Sequence, residues 1–223
     1  EFYGSTDATA SVVGDFTKAE IEKMMLETFV AWKAKKPYKR IASTYQATKA
    51  QEKVINTPDK ANSLYLAGFT VEMKDSDPDY AAMLLANYMM GGGFLNSRLA
   101  TRIRQKEGLS YGVGSQFSAS SLDKNGAFTV YAISAPENSE KVNTCVKEEI
   151  ARVNKDGFTA EELEAAKSGF LQSRQVSRSR DASLAGMLNN NLFLDRTMQF
   201  DDNMDKAIKA LTPAQVNAAF NKY

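Results

Sequence analysis

No histidine occurs anywhere in the 223 residues. That removes Ser-His-Asp and Cys-His nucleophile systems and any histidine-ligated zinc site. Asp75, Asp77 and Asp79 alternate along a polar stretch and carry enough charge for a hard cation. However, the glycine of a calcium loop is missing, and Pro78 followed by an apolar run points to helix capping instead. Cys145, the one cysteine, falls on an amphipathic pattern and reads as a small buried hydrophobe. Arg104 and Tyr111 stand on either side of Gly108, a permanent cationic fork and a neutral phenolic donor. Arg104 follows the apolar Ile103 and so lies about 100° round a helix from it. With the chain reversing at Gly108, both side chains can emerge on one side of a helix-strand junction. Two plainer readings stand beside this one. A cation near a helix C-terminus is favoured by the macrodipole, and Tyr111 can be a core aromatic with Val113 and Phe117.

The elements that must position these groups follow from periodicity and turn chemistry. Ala10 to Val13 is a short β-prone run. Thr17-Lys18-Ala19-Glu20 is a capping box opening a helix to about Trp32. Glu52 to Asn56 and Ser63 to Met73 read as strands. Asp77 is placed to cap, with Pro78 at the first helical position, a helix from Tyr80 to Met90 that is apolar nearly all round and must be buried. It ends at Gly91-Gly92-Gly93. A second helix spans about Asn96 to Lys106, stops at Gly108 and lets Leu109 fold back on Ile103. Tyr111 to Ala119 and Ala127 to Ile133 predict an antiparallel hairpin. The remainder is helical: about 137–154, 161–178, 182–194, 204–211 and 214–221, with capping boxes at Thr159 to Glu162 and Thr212 to Gln215. The order β-α-β-β-α-α-β-β-α plus further helices predicts an α+β fold, a mostly antiparallel sheet packed on helices.

Bulk properties narrow the function. The 28 Lys and Arg against 27 Asp and Glu give a net charge of +1, which argues against a dedicated nucleic-acid binder. The basic stretch from Lys33 to Arg40 therefore reads as a solvated linker, and Arg174, Arg178 and Arg180 as a solvated helix face. No apolar run approaches the ~20 residues of a membrane span. The length fits one domain over residues 1–223 or a fused pair of subdomains. The opening Glu1-Phe2-Tyr3-Gly4 is no secretory signal, and the chain reads as a piece of something longer.

Gly91-Gly92-Gly93-Phe94-Leu95-Asn96-Ser97-Arg98-Leu99, continued by Ile103-Arg104-Gln105-Lys106-Glu107-Gly108-Leu109-Ser110-Tyr111-Gly112-Val113, resembles the second-half signature of the pitrilysin/insulinase metallopeptidase family, which includes the mitochondrial processing peptidases. Val12 to Phe16 and Thr159 to Lys167 resemble flanking segments of the same domain. The likeness runs from about residue 11 to 222. It implies the LuxS/MPP-like metallohydrolase fold in its zinc-free, C-terminal form, because the family's His-x-x-Glu-His motif is absent. By resemblance, Arg104 and Tyr111 orient a scissile peptide and stabilise its oxyanion, and Gly91, Gly92 and Gly93 form a substrate-facing loop, although a helix stop explains those glycines as well. The chain is expected to bind no cofactor itself and not to be active alone. Zinc is expected in a homologous partner domain or subunit, and the substrate is a peptide or unfolded protein. A non-catalytic scaffold of the same fold, like the respiratory core proteins, is the rival. Bacterial relatives suggest a periplasmic or secreted home by analogy.

Overall fold

The computed structural model describes residues 2–223 and divides into two compact units. One comprises the residues up to Ala42 together with Ser173–Asp202, the other Ser43–Gln172 together with Asn203–Tyr223. In the first unit lies α1 (Lys18–Phe29), opened by the expected Thr17/Glu20 capping box. It also holds the end of α4 (Ala160–Arg178), α5 (Asp181–Phe193) and the start of α6 (Met198–Ala210). Arg174 is not the solvated side chain expected: it is half-buried and pairs with Asp201 at 3.3 Å, while Asn191 donates to the same carboxylate at 2.9 Å. Those contacts explain why α6 begins at Met198, well over a turn ahead of the start at 204 that its apolar pattern suggested.

The second unit is built on three antiparallel strands in the order β1-β3-β2: β1 (Ser63–Val71), β2 (Ser110–Ala119) and β3 (Gly126–Ser134). The expected hairpin is β2-β3, with Phe117 opposite Phe128 and Gly114 opposite Tyr131. β3 alternates strictly, burying Phe128, Val130 and Ala132 while Thr129, Tyr131 and Ile133 face the other side. Against the buried face pack α2 (Tyr80–Asn87), α3 (Ser139–Asp156) and α7 (Pro213–Lys222). Met83, Leu85, Ile103, Val142, Leu163 and Ile208 are fully enclosed there. Each such side chain contributes about 1.5–3 kcal/mol relative to exposure. The architecture is mixed α+β, as the element order predicted.

Two expected strands are absent: residues 10–13 and 52–56 carry no strand pairing. Val54 and Ile55 are exposed, and a short β-prone run does not become a strand without a neighbour to complete its hydrogen bonds. The start of α2 also differs. The Asp77 carboxylate accepts from the Lys74 N–H at 3.0 Å, and the Asp77 carbonyl accepts from Tyr80 at 3.0 Å. Asp77 and Pro78 thus form a turn ahead of the helix. The triple-aspartate stretch does not converge either. Asp75 accepts from Ser121, while Asp79 takes the Lys222 ammonium at 2.6 Å and the Tyr223 hydroxyl at 3.1 Å.

The apolar helix of 80–90 and the helix of 96–106 are not regular to their ends. α2 passes into a π-turn over Tyr88–Gly92, closed by the Gly93 N–H on the Tyr88 carbonyl at 2.7 Å. Ala100–Lys106 is a second π-helical segment, closed by the Glu107 N–H on Arg102 at 3.1 Å. The first widening presses Gly91 against β2, where a Cβ would lie 2.6 Å from Ser115 Oγ and 2.8 Å from the Gly114 carbonyl carbon. Gly93 is equally confined, its missing Cβ falling 2.7 Å from the Tyr88 carbonyl oxygen. Gly91 therefore lets one helix end sit on strand backbone, while Gly92 and Gly93 lie against Asn87 and Tyr88 of their own helical run.

Arg98 anchors the start of the π-helical segment. Its Nε and Nη2 bind Glu162 as a fork, both at 2.7 Å, Nη2 reaches the Gly157 carbonyl at 2.9 Å, and the guanidinium lies over the Phe158 ring. Glu162 also accepts from the Thr159 N–H at 2.8 Å, completing the capping box of α4. Cys145 is buried, as its pattern implied.

These contacts set the expected behaviour of three variants. Gly91→Ala should cost about 3 kcal/mol, since its Cβ meets backbone and cannot be absorbed by a rotamer change; chemical denaturation of the variant checks it. Burial works to raise the Glu162 carboxyl, but the Arg98 guanidinium and the Thr159 N–H outweigh it and hold the group below its ordinary 4.5. A depressed carboxylate stabilises the fold above its unfolded pKa and loses that contribution as pH falls through the folded one. The melting temperature should therefore fall below pH 4.5 more steeply in the wild type than in Glu162→Gln. At neutral pH Arg98→Ala should lose about 2 kcal/mol through its charge-assisted hydrogen bonds.

Candidate functional site

The chain reverses between the π-helical segment and β2. Gly108 adopts φ +63°, a conformation that costs other residues about 1–2 kcal/mol. The Leu109 N–H then returns to the Ile103 carbonyl at 2.9 Å, and Leu109 is buried. This is the expected fold-back, one residue longer than an α-helical closure because the segment it ends is in π register. An α-helix over 96–106 is thereby corrected to a 3-10 turn over Phe94–Asn96, an extended Ser97 and then the π-segment. Arg102, on the same segment, pairs with Glu148 of α3 at 2.9 Å and fixes its orientation.

β2 begins with an irregularity that decides where Tyr111 points. Ser110 pairs with Ser134, but Gly112 pairs with Ile133, so Tyr111 is the extra residue of a β-bulge. Regular alternation would have put Tyr111 on the face of Val113 and Phe117, both of which are buried. The bulge turns it outward, and Tyr111 is 66% exposed. The core-aromatic reading fails on this point. The Ser110 hydroxyl stabilises the kink, donating to the Ile133 carbonyl at 2.6 Å and accepting from the Gly112 N–H at 3.1 Å.

Arg104 is exposed and meets the same junction. Its Nη1 donates to the Tyr111 backbone carbonyl at 2.9 Å, engaging one of five guanidinium N–H donors. Arg104 and Tyr111 line one open cavity of about 310 Å³, together with Gly108, Leu109, Ser110, Ile133, Ser134 and Ala135. A cation, a phenol and a short apolar wall thus share one concavity. The structure brings these two predicted residues together. Gly91, Gly92 and Gly93 do not line this cavity; they belong to the helix end against β2. The following loop is tied back by Gln105, whose Nε2 donates to the Leu95 carbonyl at 2.7 Å.

Sequence reading did not single out Ser110, Ile133 and Ala135 as lining residues. Ile133 was readable only as one of two alternating faces of a strand, and nothing local marks which face adjoins a cavity. No group of three metal-ligating His, Cys, Asp or Glu side chains exists among the described residues. With no histidine in the sequence, this chain offers no histidine-ligated zinc centre. What the cavity offers is hydrogen-bond donation and positive charge toward a carbonyl or anionic oxygen.

The family model for the peptidase M16 inactive domain matches residues 1–170. An uncharacterized zinc protease, YmxG of Bacillus subtilis, is 27% identical over 139 residues, covering 62% of this chain and 33% of that protein. A Helicobacter pylori protein named non-peptidase homolog YmxG is 28% identical over 171 residues, 76% of this chain and 38% of the relative. Among solved structures, a peptidase M16 inactive domain from Pseudomonas fluorescens superposes with a TM-score of 0.77 at 29% identity, covering 95% of this chain and 49% of that one. The chain spans between a third and a half of the length of these relatives. It belongs to the peptidase M16 inactive-domain family.

Proposed function

We propose that this chain is the substrate-holding half of a two-part M16 metallopeptidase, presenting an extended peptide to zinc carried by a homologous domain or subunit. The observation that carries the reading is the β-bulge at Tyr111, which turns a would-be core phenol into the cavity where Arg104 already lies. A peptide carbonyl under attack becomes a tetrahedral oxyanion, and donors fixed where that charge develops lower the barrier. Arg104 contributes charge and a planar fork; Tyr111 contributes a neutral donor on a rigid ring. The role of the metal, held in the partner, is to activate the attacking water. In this reading Gly91 to Gly93 open the substrate-facing loop, while Gly91 also seats the helix end on β2.

A second reading is favoured by one observation, the name of the Helicobacter pylori relative as a non-peptidase homolog. In that reading the domain assembles or holds peptides without any cleavage. The Arg104–Tyr111 cavity favours the enzyme reading, since a scaffold requires neither group to be exposed together.

Reconstitution with a zinc-bearing M16 half separates the two. Cleavage of an unstructured peptide should appear on mixing. Arg104→Ala and Tyr111→Phe should each lower kcat by about 10²–10³-fold, the ordinary cost of one oxyanion donor. Undiminished turnover in the double variant would sink the assigned roles, and no cleavage in any combination would favour the scaffold.

A further inference from the structure

Ile133, in the cavity wall, also stands on the open face of the sheet, where apolar residues flank it across the strands. Across the rung nearest the cavity, Gly112 of β2 stands opposite Ile133, and Ile133 stands opposite Leu64 of β1. The next rung is Gly114, Tyr131 and Leu66. Leu64 and Leu66 are 62% and 63% exposed. Because directly opposed residues share a face, these side chains form a strip that starts at the cavity wall with Ile133. The glycine at 112 matters here. A Cβ there would make ordinary contact with Ile133 Cδ1 at 3.7 Å, so the position tolerates a side chain, and as glycine it places none over the partly exposed Ile133.

We propose that Gly112 and Ile133 form a side-chain subsite that selects a large aliphatic or aromatic residue in the peptide held beside Arg104 and Tyr111. The inference rests on the peptide-holding reading of that pair. An extended peptide places alternate side chains on the sheet face. One of them meets Ile133 with no β2 side chain in the way, and Leu64 extends the same surface. A charged side chain there would lose hydration against aliphatic groups without gaining a partner.

Methyl and side-chain NMR titrations of the full chain with unstructured peptides, identical except for Ala, Leu or Asp at one central position, test this. The Leu peptide should bind about tenfold more tightly than the Ala peptide, as expected for a partly covered aliphatic side chain, with the Asp peptide weakest. Shifts should appear at the Ile133 methyl, the Arg104 Nε–H and the Tyr111 ring. Gly112→Val should erase the Leu preference, so that Leu and Ala peptides bind the variant equally. Ile133→Ala should reduce the preference from the opposite side of the rung, and its circular dichroism should match the parent. Shifts at Arg104 and Tyr111 with equal affinity for Leu and Ala peptides would overturn the subsite and leave the peptide-holding reading standing. Shifts at Ile133 without any at Arg104 or Tyr111 would remove the peptide-holding reading, and the subsite with it. Absence of binding at millimolar peptide overturns the proposal as well.

Discussion

The reversal at Gly108 is the constraint from which the rest of the second unit's functional geometry follows. A positive φ at that residue turns the backbone, the Leu109 N–H closes on the Ile103 carbonyl, and the chain enters β2 within two residues. So short a connection leaves no slack to bring Tyr111 into line with β3, and the strand absorbs the mismatch as a bulge. The bulge, in turn, decides that a large aromatic side chain faces the solvent side of a strand whose next apolar residues are buried. Burying Leu109 and Ile103 stabilises the turn; exposing Tyr111 is what that turn imposes on the next residues. Packing and site are thus two results of one backbone event.

The supports of this turn are electrostatic at its entry and apolar at its exit. Arg98 forks onto Glu162 at the first turn of α4, and Arg102 reaches Glu148 on α3. Both hold the segment that carries Arg104 against its helical neighbours. Partly buried, bidentate pairs of this kind contribute orientation as much as energy. On the other side, Gly91 brings the end of α2 onto the β2 backbone near Ser115. The segment bearing the cation and the strand bearing the phenol are therefore held by separate sets of contacts within one unit.

Much of this was legible in the sequence because local chemistry and tertiary placement agree. The capping boxes at Thr17, Thr159 and Thr212 form as their spacing predicts. The hairpin over 110–134 and the enclosed helix after Tyr80 also follow their patterns. The failures have a common physical source. Val54 and Ile55 look like strand residues, but a strand is defined by its neighbours and these have none in the sheet. The π-register at Tyr88–Gly92 and Ala100–Lys106 has no residue signature, since it reflects how helix ends fit against β2 and α3. Arg174 belongs outwardly to an arginine-studded face, yet Asp201 lies far along the chain and only folding brings them together. Within the site, Arg104 and Tyr111 were visible as residue types. The bulge that exposes Tyr111 was not, because alternation alone points that side chain toward Phe117.

The bond from Arg104 goes to the main-chain oxygen of residue 111, and that choice of acceptor separates two jobs a more obvious arrangement would have fused. Had the guanidinium been held by the phenol itself, altering the aromatic ring would have set the cation adrift. As built, any amino acid at this position supplies the same tether, so the ring can vary in polarity and size while the charge stays moored. Change at position 111 can then proceed one side chain at a time.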